Sequence, residues 1–129
     1  MLVLDASAAI DVLARTTRGA RVAEHLARDD VAAPELLDVE VLSALRRLVR
    51  AGELTEAAAT TEAWRLRTMP VLRVRHELLT EQAWALRHRV RIADAFYLGC
   101  ARFLGGVLIT TDGRLARVPL PGLSVTSLG

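Results

Sequence analysis

Four carboxylates, Asp5, Glu40, Asp94 and Asp112, stand at the ends or margins of apolar segments. Asp5 terminates the run Leu2-Val3-Leu4 and is followed by Ala6-Ser7, while Asp112 follows Val107-Leu108-Ile109-Thr110-Thr111. Short, continuous apolar runs suit strands covered on both faces, as in a parallel sheet. The chain thus has two apolar strands that each deliver an aspartate at the carboxyl end, with hydroxyl residues beside it. In open α/β sheets, functional groups collect beyond that end of the strands. Asp94 opens an almost wholly apolar helical stretch containing Phe96, Tyr97, Leu98, Cys100 and Phe103. Glu40 lies at the margin of a helical stripe formed by Leu37, Val41, Ala44, Leu45 and Leu48. Each acid also has an ordinary local reading. Asp5, Ser7 or Asp94 can cap a helix, because such side chains accept hydrogen bonds from its first free amides. Glu40 can be a boundary residue in a salt bridge.

If the four acids meet, their mutual repulsion raises their pKa values, and a divalent cation relieves it. Hard Mg²⁺ or Mn²⁺ prefers oxygen ligands and keeps positions open for water or phosphate. His25, His76 and His88 form no spaced cluster, which argues against zinc. Carboxylate-held Mg²⁺ suits phosphodiester hydrolysis, since the metal activates water and stabilises charge on the attacking and leaving oxygens without a histidine base. Ser7 and Thr110 are placed to position a water or orient a carboxylate. Arg114, with Arg89 and Arg91 of the run Arg87-His88-Arg89-Val90-Arg91, is a candidate phosphate contact; the alternative is a solvated surface.

The elements that must position these residues follow from periodicity and breakers. After the first strand, Ala8 to Leu13 is helical, Thr16 to Arg18 is a polar break, and Ala20 to Ala27 resumes a helix. Val31 to Ala33 reads as a second strand, and Pro34 as the start of a helix running to about Arg50 and stopped by Gly52. Another helix spans Thr55, as its cap, to Arg67, where an exposed Trp64 or Leu66 would mark a partner surface, though such residues are more often core. Val71 to Val74 is a third strand, Leu78 to Leu86 a helix, and Ala95 to Leu104 a buried helix closed by Gly105-Gly106. The strand Val107 to Thr110, a helical turn at Arg114 to Arg117 and a last strand around Leu123 to Val125 complete the chain. Parallel strands separated by helices predict a three-layer α/β/α domain spanning residues 1–129, with a central, mostly parallel sheet of four or five strands.

Composition narrows the function further. At 129 residues and 52% hydrophobic, the chain can enclose one real core. All 17 basic residues are Arg, so a P-loop lysine or lysine nucleophile is excluded, and no Gly-rich phosphate loop occurs. A formal charge of +2 permits a nucleic-acid partner without requiring one. Cys100 reads as a core thiol, and with no membrane span or signal peptide a cytoplasmic protein is expected.

Taken in order, Val-Leu-Asp5-Ala-Ser7, Glu40 on a helix after Pro34, Ile-Ala-Asp94-Ala-Phe-Tyr97-Leu and Leu-Ile-Thr110-Thr-Asp112-Gly-Arg114-Leu115 resemble the motifs of PIN-domain ribonucleases, especially VapC-type toxins. The resemblance covers essentially the whole chain. It implies a Mg²⁺- or Mn²⁺-dependent endoribonuclease with Asp5, Glu40, Asp94 and Asp112 as its acidic, metal-binding site. It also implies a homodimer, an RNA substrate, and a VapB-like antitoxin whose tail covers the groove and offers an Arg to the acids. Operator DNA would be reached only through that antitoxin. The segment Gly113 to Arg117 departs from the family pattern, which often has an Asn or a further acid there, and this leaves the number of metal ions open. The rival reading is a catalytically weak PIN-like binding or regulatory module. A phosphoryl-transfer receiver or phosphatase with Asp5 as nucleophile is disfavoured by the absence of Lys and of a second Asp two residues later.

Overall fold

In a computed structural model describing residues Met1 to Gly129, the apolar runs pair into one sheet of five strands. These are β1 (Leu2–Leu4), β2 (Val31–Pro34), β3 (Leu72–Val74), β4 (Val107–Thr110) and β5 (Ser124–Ser127), in the order β3-β2-β1-β4-β5. Every pairing is parallel. Val3 and Leu4 point to opposite faces of β1, yet both are fully buried, so helices cover the sheet on both sides. The expected three-layer architecture is present, with five strands that are all parallel.

Seven helices connect the strands: α1 (Ala6–Leu13), α2 (Thr17–Leu26), α3 (Leu36–Arg50), α4 (Glu56–Thr68), α5 (Thr80–Ala85), α6 (Ile92–Leu104) and α7 (Gly113–Ala116). The α6 helix packs across β1, β2 and β4, and α1 packs against α2 and α3. None is long and apolar enough to cross a membrane. Leu98, Leu108, Ile109, Leu37 and Val41 meet in the core, and burial pushes the Cys100 thiol up to about 12.

Several expected boundaries shift for identifiable reasons. Pro34 does not begin a helix; it closes β2 opposite Val74, a strand end where the missing amide is tolerated, and α3 begins at Leu36. The Leu36 N–H donates to His76 Nε2 (2.9 Å), and Glu35 Oε1 accepts from the His76 amide (2.9 Å), which ties the start of α3 to the turn after β3. The stretch from Leu78 to Leu86 divides into a 3-10 turn at His76–Leu78 and the short α5. Ile92 and Ala93 join α6, so Asp94 is inside its first turn and is not its cap. Leu66 is core, whereas Trp64 faces outward.

Where α2 crosses α1, Gly19 is closely approached: a Cβ there would lie 1.9 Å from the Asp11 carbonyl oxygen. Backbone cannot yield as a flexible side chain can. Gly19→Ala should therefore cost about 1–3 kcal/mol by overpacking, read as a lower melting temperature; an unchanged value would contradict this helix crossing.

Candidate active site

Strand order reverses at β1. The chain builds outward through β2 and β3 on one side, then returns to place β4 and β5 on the other. A crevice beyond the carboxyl ends at such a reversal is the usual ligand position in open α/β sheets. Asp5 and the segment Thr110 to Asp112 flank it, joined by the hydrogen bond from the Asp5 N–H to the Ile109 carbonyl (3.2 Å).

Asp5 is both a helix cap and a member of this rim. Its Oδ1 accepts from the Ala8 amide (2.9 Å), capping α1, and from the Ser7 hydroxyl (2.7 Å). Ser7 also accepts from the Thr111 amide (3.1 Å) and lies 3.2 Å from the Thr110 hydroxyl, so it stitches the start of α1 to the end of β4. Asp5 is only 5% exposed. Burial raises its pKa above the ordinary value, against the opposing hydrogen bonds, and the charge of Asp112 acts in the same upward direction.

The other acids are held differently. Asp112 caps α7, accepts from the Arg114 amide (2.9 Å) and pairs with its guanidinium (3.0 Å), which holds this carboxyl below its usual range. Arg91 Nε donates to Asp94 Oδ2 (3.2 Å). Glu40, half-buried on α3, has neither a hydrogen bond nor an ion pair.

Two hollows hold these side chains. A cleft of 430 Å³ contains Asp94 and Asp112 with Arg87, His88, Arg89, Arg91 and Arg114, and Arg89 is fixed there by the Pro119 carbonyl (2.9 Å). A hollow of 480 Å³ contains Ser7, Glu40 and Arg47. Asp5 links them, through Ser7 on one side and the charge of Asp112 on the other. A larger cavity, of 780 Å³, lies against Met1, Val31 and Leu72 near the opposite ends of the strands and includes none of these four acids. The carboxyl rim is the better candidate because it carries the buried Asp5 under the influence of Asp112, and a cleft in which Asp94 and Asp112 face several arginines.

The donors are all oxygens, four carboxylates with the Ser7 and Thr110 hydroxyls, a set suited to a hard divalent cation. In this side-chain arrangement no three acids stand close enough to one point to grip an ion, and Asp94 and Asp112 are each paired with an arginine. Both arginines are largely exposed, which leaves them free to release the carboxylates.

Two polar residues escaped sequence reasoning. Asp11, buried on α1, accepts from the Thr111 hydroxyl (2.7 Å) and the Thr16 hydroxyl (2.8 Å), locking the residue beside Asp112; a lone Asp between Ile10 and Val12 was its only signal. Tyr97 belonged to an apolar pattern, but its hydroxyl is buried without a well-formed hydrogen bond and faces Glu40. Burial first, then Glu40, and then the charges of Asp5 and Asp94 push this phenol far above its ordinary value.

Because the Asp5 pKa is raised, its negative charge opposes folding above the folded-state value, and that opposition vanishes below the ordinary value of 3.8. Asp5→Asn retains the oxygen that accepts from Ser7 and Ala8 while removing the charge. Its metal-free melting temperature should exceed that of the unaltered chain at pH 7, with the difference closing as pH falls toward 4. A lower melting temperature at pH 7 would contradict the strained charge.

The profile of the PIN domain matches residues 2–120. The chain is 47% identical over 117 residues to Ribonuclease VapC3 of Mycobacterium tuberculosis, covering 90% of this chain and 85% of that protein. It is 38% identical to Ribonuclease VapC12 of the same organism, covering 91% of each. A solved toxin-antitoxin complex from Klebsiella pneumoniae contains a chain of the same fold, with TM-score 0.76 and 17% identity, covering 100% of this chain and 98% of that one. The chain belongs to the PIN-domain family, in its VapC branch.

Proposed function

We propose that this protein is a Mg²⁺- or Mn²⁺-dependent endoribonuclease that hydrolyses phosphodiester bonds of RNA, acting in the cytoplasm as the toxin of a VapBC-type pair. The reading rests chiefly on the rim at the β1/β4 reversal, where Asp5 meets the end of β4 and feels the charge of Asp112, with Asp94 lining the same cleft as Asp112. Asp5, Glu40, Asp94 and Asp112 would hold the divalent ion, which supplies the positive charge that phosphodiester hydrolysis requires. Ser7, with Thr110 beside it, fixes the Asp5 carboxylate, and Asp11 steadies Thr111 next to Asp112. Arg89, Arg91 and Arg114 line the same cleft as two of the acids, so an RNA backbone entering there finds cations beside the reacting position.

Membership of the VapC branch supports a VapB-like antitoxin as partner, and the toxin-antitoxin assembly of the structurally similar Klebsiella chain is consistent with it. In this reading the antitoxin covers the cleft and offers its own Arg to the acids, the toxin is a homodimer, and operator DNA is contacted only through the antitoxin. One observation favours a rival, a catalytically weak binding or regulatory module: Asp94 and Asp112 are each paired with an arginine.

Cleavage of a mixed RNA pool decides between them. Even partners behind metal ligands contribute about 10–100-fold, so Asp5→Ala and Asp94→Ala should each reduce cleavage beyond that, and chelation should abolish it. Cleavage insensitive to metal or to both substitutions would sink the nuclease assignment. Calorimetry should show Mn²⁺ binding weakened by Asp112→Ala.

For the basic wall, Arg89→Ala and Arg91→Ala should raise KM for RNA and lower the salt slope of binding by about one for each phosphate no longer neutralised. Unaltered salt dependence would place the RNA elsewhere.

A further inference from the structure

Tyr97 and Glu40 form an unusual complement. The Tyr97 side chain is 2% exposed, and its hydroxyl is the buried side-chain donor left without a partner. Glu40 is the member of the acidic group without a stabilising contact: Asp5 has Ser7 and Ala8, Asp94 has Arg91, and Asp112 has Arg114. The unpaired donor and the unpaired acceptor face one another. Tyr97 lies three residues after Asp94 on α6, so both project from one face of that helix. The charges of Asp5 and Asp94 also act on the phenol, after that of Glu40. Phenylalanine would fill the same space in the core without burying an unsatisfied hydroxyl, so packing alone does not account for the oxygen.

We propose that Tyr97 is a positioning residue of the acidic site, its hydroxyl donating to the Glu40 carboxylate and holding it toward Asp5 and Asp94. This rests on the nuclease reading above. The hydroxyl moves no proton in the reaction. It gives the carboxylate on α3 a fixed orientation, as second partners do for ligands at metal sites generally. Arg47 lines the same hollow as Glu40 but is not paired with it, so it does not already fill this role.

Tyr97 is the only tyrosine, so 3-fluorotyrosine labelling yields a single fluorine resonance. In metal-free protein, Glu40→Gln should move that resonance; a resonance blind to Glu40→Gln overturns the proposal. Tyr97→Phe should keep or raise the melting temperature, lower kcat by about tenfold and leave KM for RNA unchanged. Adding Glu40→Gln to Tyr97→Phe should then cost less than Glu40→Gln alone, because the two act as one unit. An unchanged kcat in Tyr97→Phe, or fully additive losses, would overturn the positioning role. Failure of the unaltered chain to bind Mn²⁺ or cleave RNA would overturn the nuclease reading itself. The fluorine measurement, made without metal or RNA, decides the Tyr97–Glu40 contact separately.

Discussion

The pairing of β1 with β4 is the constraint on which the rest of the molecule depends. It places a buried carboxylate, Asp5, beside the end of a strand more than a hundred residues later in the chain. An ionised group in a nearly dry position is tolerated only with donors around it. Ser7 and the Ala8 amide provide them, and Ser7 in turn is held by the Thr111 amide. The same few hydrogen bonds therefore cap α1, join it to β4 and orient the acid. In the nuclease reading, function and local stability pull against each other at Asp5, because metal binding would need the charge that burial disfavours.

Around this fixed centre the remaining acids are held more loosely. Asp94 and Asp112 rest on arginines from their own segments, whereas Glu40 arrives on α3, whose entry is set by His76 and Glu35. Surface ion pairs of this kind are weak. They quiet the repulsion among neighbouring carboxylates without committing them, and they leave a cleft in which negative and positive groups share one wall.

Much of this arrangement was legible in the sequence. The repeated plan of an apolar run followed by an acid and hydroxyl residues pointed to Asp5 and Asp112, because a buried parallel strand has a distinctive composition and a defined functional end. The plain reading of Asp5 as a helix cap is correct: its Oδ1 accepts from the Ala8 amide. Pro34 was ambiguous because a missing amide is as harmless at the end of a strand as in the first turn of a helix. Asp94 shifted inward by two residues because Ile92 follows a charged run that masks the helix start. Trp64 and Leu66 stand two residues apart on α4 and so on opposite faces, and packing decides which face is buried. Asp11 and Tyr97 were hidden most effectively, since periodicity reports which face is buried and carries no information about the partner of a polar atom on that face.

The sheet order also governs when the rim exists. The central strand β1 is made more than a hundred residues before its neighbour β4, and Asp5 meets Thr110 and Asp112 only when both are present. Contacts so distant along the chain form late in folding. A growing polypeptide on the ribosome can build α1, α2, β2 and α3 while the crevice still lacks one side. Truncated products that stop before residue 107 carry three of the four acids and no assembled rim, so the architecture itself delays the crevice until β4 has been made.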